Sequence, residues 1–310
     1  MTNAVLEIRG LEKSYRMGLL GRQRRRALEP LHLELPAGEV FGYLGPNGSG
    51  KTTTLKLLMG LIFPDGGSAT VLGSALDDPA WRQRIGYLPE HPYFYDYLTP
   101  REYLDYAGRL FQLGRERRRE RAERLLEQLG LTTAADVPLR RLSKGMQQRL
   151  GLAQALVNDP ELVFLDEPMS GLDPIGRAQV RDLIQSLREA GRSVFFSTHI
   201  LPDAESLCDR VGLLRGGRLL NVGRLDEILD VAVAHLELLV TGAESLRQSP
   251  PEGVLQAREL GDRWYLEVEE AALGRIVTAL ERAGGRVRSV LPRRLSLEEL
   301  FVREMGEPRE

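Results

Sequence analysis

The chain has 310 residues, 42% hydrophobic and 28% charged, a globular balance with room for two domains. A formal net charge of −2 removes any global attraction for nucleic acid, and the lone cysteine, Cys208, excludes an internal disulfide framework. No segment reaches the roughly 18 apolar residues needed to span a bilayer, and the first residues lack a basic start with an apolar core.

Taken in order, apolar runs alternate with helical patterns, as in an α/β protein. Val40 to Leu44 is a short apolar run entering a glycine-rich turn, and Ile85 to Leu88 is a second. Thr99-Pro100-Arg101-Glu102 reads as helix cap, first-turn proline and capping carboxylate, opening a helical stretch to Leu131. Within it, Arg115 to Arg124 alternates Arg with Glu and is expected as a solvated face with i,i+4 pairs. Leu162 to Leu165 and Val194 to Phe196 are too short for buried helices and read as parallel strands. Cys208 reads as a small apolar helix residue.

A break is expected near Gly216-Gly217, and phosphate-binding signals end by Asn221. The organisation is therefore a main domain over residues 1–222, with a helical subdomain at about 90–158, and a small α+β domain over residues 223–310. In that tail, His235 to Val240 is an expected strand. Val254 to Leu260 and Arg263 to Val268 form an expected hairpin around Gly261-Asp262, and Ala271 to Ala283 an expected helix. A strand over Arg286 to Leu291 and a helix from Ser296 complete it, and Gln248 to Glu252 is a polar loop.

Gly45-Pro46-Asn47-Gly48-Ser49-Gly50-Lys51-Thr52 satisfies the pattern G-x-x-x-x-G-K-[ST] in full. Its glycines let successive N–H groups turn toward phosphate oxygens with a helix N-terminus behind them. Lys51 can reach the β/γ-phosphates and Thr52 offers a hydroxyl to Mg²⁺. Asp166 and Glu167 end the Leu162 strand, where open α/β sheets bind ligands. Asp166 would hold Mg²⁺, and Glu167 would act as general base on the attacking water.

Leu142-Ser143-Lys144-Gly145-Met146-Gln147-Gln148-Arg149 then resembles the signature of the ATP-binding-cassette (ABC) family, with Lys144 and Met146 replacing its usual Gly and Gln. Ser170-Gly171-Leu172-Asp173 is similar to that family's D-loop, and Ser197-Thr198-His199 to its switch histidine. Gly86-Tyr87-Leu88-Pro89-Glu90 resembles the Q-loop of the exporter-type branch, with Glu90 where glutamine is usual.

The resemblance implies a P-loop NTPase core with a helical subdomain and an accessory C-terminal domain. It implies an ATPase using ATP and Mg²⁺ in composite sites of a head-to-tail dimer. One subunit would supply Tyr15 against adenine, residues Gly45 to Thr53 around the nucleotide, and Thr52, Glu90 and Asp166 around the metal. Lys51, Glu167 and His199 would be catalytic, and the second subunit, an identical copy or a relative, would add Ser143 and Gly145. The implied partner is a separate transmembrane permease, with the chain peripheral on the cytoplasmic face of the plasma membrane and no nucleic acid involved. In the family the aromatic-rich segment His91 to Tyr97 faces that partner; packing within the helical subdomain is the other reading of it. Two other readings remain open at this level: a cassette ATPase acting on ribosomes or DNA, and a catalytically silent regulatory cassette. The run Gly21 to Arg26 has either a lipid or partner contact, or a solvated hairpin tip, as its explanation.

Overall fold

The computed structural model describes residues 4–17, 23–230, 233–242, 251–294 and 296–306. It divides into two compact units, Met1–Leu225 and Asp226–Glu310.

The first unit opens with long strands β1 (Ala4–Met17) and β2 (Gln23–Pro36), then β3 (Val40–Leu44) and helix α1 (Lys51–Leu58). Short strands β4 (Gly66–Val71) and β5 (Ser74–Ala75) precede β6 (Ile85–Leu88). Helices α2 (Pro100–Leu110), α3 (Arg115–Gln128) and α4 (Lys144–Ala155) follow together. The chain then alternates β7 (Leu162–Asp166), α5 (Pro174–Glu189), β8 (Ser193–Thr198) and α6 (Leu201–Leu207). The hairpin β9 (Arg210–Arg215) and β10 (Arg218–Arg224) turns at Gly216-Gly217, with φ of 56° and 87°.

Two sheets result. One is antiparallel, in the order β2-β1-β4-β5; the other runs β10-β9-β3-β8-β7-β6. Pairings β9–β3, β3–β8, β8–β7 and β7–β6 are parallel, so β3, β8 and β7 end side by side at one edge. That edge is where chain crossovers leave a crevice for ligands. The strands are buried on both faces and accordingly read as unbroken apolar runs. Their rings interlock: Phe195 stacks on Phe41 at 5.3 Å and meets Tyr43 at 5.3 Å and Phe164 at 5.7 Å. Tyr43 also bonds Thr54 of α1 at 3.2 Å, tying strand to helix.

Helix α2 begins as its sequence dictates. The Thr99 hydroxyl accepts from the Glu102 N–H, and the Glu102 carboxylate accepts from the Thr99 N–H at 2.9 Å, with Pro100 in the first turn. The arginine-rich face of α3 departs from expectation. Arg124 does pair with Glu120 at i,i+4, but Arg118 turns inward to Asp105 and the Leu113 carbonyl, and Arg121 reaches the Leu156 carbonyl at 2.5 Å. Those long side chains tie α3 to Asp105 of α2 and to the C-terminal end of α4. Cys208 is buried but lies just past α6 with extended backbone, as the C-cap rather than a helix member.

The chain enters the second unit through α7 (Leu225–Asp230). That unit holds β11 (Val233–Thr241), β12 (Val254–Leu260), β13 (Arg263–Val268), α8 (Leu273–Arg282), β14 (Arg286–Arg294) and α9 (Leu297–Gly306). Its sheet is antiparallel in the order β12-β13-β11-β14. Leu238, Leu266, Val268, Ile276 and Leu280 form its core, where one helix stripe closes one sheet face. The expected helix over Ala271 to Ala283 starts as a 3₁₀ turn at Glu270–Ala272 before α8. Residues 248–250 of the expected polar loop lie outside the described residues.

Candidate functional site

The loop after β3 runs Gly45 to Gly50 and enters α1, whose first turn has no side-chain cap. Its free N–H groups are therefore open to an anion. Glycine is required at two points. A Cβ on Gly45 would stand 2.4 Å from the Leu214 carbonyl, and one on Gly50, at φ 112°, 2.6 Å from the Ala27 carbonyl. The β9–β10 turn pins the loop as well, Gly217 donating to the Ser49 carbonyl at 2.7 Å.

A cavity of about 610 Å³ opens over this loop. Tyr15, Asn47, Gly48, Gly50, Lys51, Thr52, Thr53, Glu90 and Glu167 line it, so chain segments far apart in sequence converge on one space. Gly45 and Ser49 are buried beneath it, and Pro46 is half-buried beside them. Ser143 and Gly145 do not line the cavity. Ser143 caps α4 instead, its hydroxyl accepting from Met146 N–H at 3.3 Å. Asp173 likewise caps α5, accepting from Gly176 N–H at 2.9 Å.

Glu167 sits at the centre. It is buried, with φ of 50°, the left-handed region that a side chain seldom adopts. Such strain persists only where surrounding contacts hold it. His199 Nδ1 lies 2.9 Å from Glu167 Oε2, and Lys51 Nζ lies 3.3 Å from Oε1, an ion pair without hydrogen-bond geometry. Lys51 donates to the Gly45 carbonyl at 2.7 Å, folding back on its own loop. A carboxylate oxygen only accepts, so in this contact the imidazole Nδ1 is the donor.

Asp166 is fully buried. Ser197 donates its hydroxyl to Asp166 Oδ1 at 2.5 Å and accepts from the Glu167 N–H at 3.2 Å, so one hydroxyl of β8 orients both acids. Burial pushes the Asp166 carboxyl above its usual range. The Ser197 hydrogen bond and the nearby Thr52 hydroxyl act the other way, and the charges of Glu90 and Glu167 add to the rise. Asp166 Oδ2 and Ser49 Oγ are buried without hydrogen-bond partners. A buried carboxylate oxygen left open beside the Thr52 hydroxyl is the donor chemistry of a hard divalent cation. Among the described residues no three His, Cys, Asp or Glu form a ready cage.

Two residues that hold this geometry carry no assigned role in the sequence reading. Ser197 is one. Gln148 of α4 is the other: buried, it donates its amide to the carbonyls of Glu167 at 3.4 Å and Pro168 at 3.2 Å. Its signal is a polar residue at the spacing of Leu152 and Ala155, on the apolar stripe of α4.

Residues 28–170 match the ABC transporter family. An uncharacterized ABC transporter ATP-binding protein of Synechocystis sp. is 45% identical over 305 residues, covering 98% of this chain and 85% of that protein. The chain is a member of the ABC transporter ATP-binding proteins. The Nod factor export ATP-binding protein I of Cupriavidus metallidurans is 35% identical over 311 residues, 98% of each chain. Among solved structures, a dimeric ATP-binding cassette in a post-hydrolysis state, bound to ADP and Pi, aligns with a TM-score of 0.66. It is 27% identical, over 71% of this chain and 98% of that one. This ABC protein thus has the P-loop NTPase fold of the cassette ATPases, binds ATP and is an ATPase of the transporter family.

Proposed function

We propose that this ABC ATPase hydrolyses Mg·ATP in composite sites shared with a second cassette and drives export through a separate transmembrane permease, from the cytoplasmic face of the membrane. The observation that carries the catalytic part is Glu167, buried and held between Lys51 and His199 on the cavity wall. The triphosphate would lie over Gly45 to Thr52, drawing the Lys51 ammonium from the Gly45 carbonyl onto phosphate oxygens. Glu167 would take a proton from water as its oxygen attacks the γ-phosphorus and the bond to the β–γ bridging oxygen breaks, leaving ADP and phosphate. His199 would hold the Glu167 carboxylate in place. Thr52 and Asp166, with Glu90 close by, would hold Mg²⁺, which neutralises phosphate charge when bound.

The placement of Ser143 and Gly145 away from the cavity of their own chain supports their action in a partner's site. The exposed N-terminal turn of α4 is suited to meet a phosphate presented from outside. Export rests on the Nod factor export relative; among the described residues no helix is long and apolar enough to cross a membrane.

Phosphate release by wild type and by Glu167→Gln tests the reading. The variant should lose roughly 10²-fold or more in turnover, keep its ATP affinity, and elute as an ATP-dependent dimer. Turnover near wild type in the variant would overturn the assignment. Co-purification of a membrane protein from detergent extract tests the permease.

A further inference from the structure

The arginines at the start of β2 belong to none of the phosphate, metal or base groups above, yet part of the run faces the nucleotide cavity. Gly21 and Arg22 lie outside the described residues, but Arg24, Arg25 and Arg26 lie on β2. Two of the three are matched by acids. Arg26 Nη2 lies 2.6 Å from Glu12 Oε2, and Arg24 acts on Asp65, whose carboxyl is held low by Lys13 first and by Arg24 among weaker contributors. Arg25 has no hydrogen bond or ion pair among the described residues.

Its position follows from strand register. Arg25 pairs directly with Tyr15 across β1 and β2, so both side chains leave the same face of the ribbon, and both line the 610 Å³ cavity. Farther along, β2 presses on the phosphate loop so closely that the Ala27 carbonyl admits only glycine at position 50. Two residues earlier, the Arg25 guanidinium reaches the same loop. Its Nη2 stands 3.9 Å from where a Cβ on Gly48 would be. The charge on the opposite wall is different in kind: Lys51 is already paired with Glu167, and Glu90 adds a second acid. An unpaired guanidinium, forked and weakly hydrated, is the side chain best suited to complete the coordination of a phosphate chain there.

We propose that Arg25 binds the phosphate chain of the nucleotide, gripping it from the β2 side while Lys51 and the N-terminus of α1 hold it from the loop side. The inference rests on the cavity being the ATP site. In that geometry Tyr15 takes the base and its cross-strand neighbour takes the phosphates, so one ribbon reads both ends of the ligand.

Fluorescence titration of the full-length protein with trinitrophenyl-ATP and trinitrophenyl-AMP tests it, on wild type, Arg25→Ala, Arg25→Lys and Lys51→Ala. Arg25→Ala should weaken the triphosphate by about tenfold, the scale of a hydrogen bond to a charged group, and the monophosphate by less than about twofold. Arg25→Lys should recover only part of the triphosphate affinity, because the charge remains but the forked donor geometry is lost. Equal losses on both ligands, or no loss on either, would overturn the assignment. If Lys51→Ala also leaves the triphosphate unaffected, the reading of the cavity fails; if only Arg25→Ala is silent, this inference fails alone. Arg25 is exposed, and an unchanged melting curve separates lost contact from lost fold.

Discussion

His199 Nδ1 and Glu167 Oε2 are 2.9 Å apart, across the gap between two adjacent parallel strands, β8 and β7. The exposed imidazole thereby holds one oxygen of a buried carboxylate whose other oxygen faces Lys51. His199→Ala should lower turnover about 10- to 100-fold, the scale of losing a hydrogen bond to a charged group, with nucleotide affinity nearly unchanged. Steady-state phosphate release beside a binding titration reads both. A mutant as fast as wild type would mean that Glu167 is oriented without the histidine.

Lys51 and Glu167 form a buried pair, with side chains only 6% and 8% exposed. Removing one charge of such a pair strands the other. Lys51→Ala should therefore weaken ATP binding and also lower the melting temperature of the nucleotide-free protein. Adding Glu167→Gln should restore part of the lost stability, though not the affinity. Calorimetry of the two single variants and the double completes the cycle, and strict additivity would show that the pair is not coupled.

Gln148 predicts a separation of binding from turnover. Gln148→Leu removes the donor that holds the Glu167 and Pro168 carbonyls: the Pro168 carbonyl loses its hydrogen bond, while the Glu167 carbonyl keeps only the Ser170 N–H. The expected cost is about 1–3 kcal/mol of stability, with kcat falling while KM for ATP holds. A raised KM at constant kcat would place Gln148 outside the positioning of Glu167.

Glu90 lines the cavity, and its charge adds to the upward push on the Asp166 carboxyl. Three acids around one phosphate chain repel it unless a cation intervenes. ATPase activity should therefore depend more steeply on Mg²⁺ in wild type than in Glu90→Gln, which should stay active because an amide oxygen can still ligate. Superimposed Mg²⁺ titrations would place Glu90 outside the reach of the metal.

Much of this was legible in the chain because the informative segments are local. The loop from Gly45 to Thr52 declares its chemistry within eight residues, and the capping box at Thr99 within four. Apolar runs such as Leu162 to Leu165 announce two-sided burial without reference to any partner. The arginines of α3 show the limit: Arg118 and Arg121 carry the same pattern as their solvated neighbours, and only the approach of α2 and α4 turns them inward.

What the sequence by itself determined is the inventory: which loop can cradle phosphates, which acids end a buried strand, and which histidine follows the next. What only the tertiary structure decided is which groups meet. Ser197 reaches back 31 residues to Asp166, Gln148 reaches 19 residues to the Glu167 carbonyl, and Arg25 enters the cavity because strand register sets it beside Tyr15. The left-handed backbone at Glu167 belongs to the same class, a strained conformation that no local propensity favours. The physical reason is common to all four. A motif is written in short-range backbone geometry, whereas a hydrogen bond between distant strands and helices exists only once burial has brought them together.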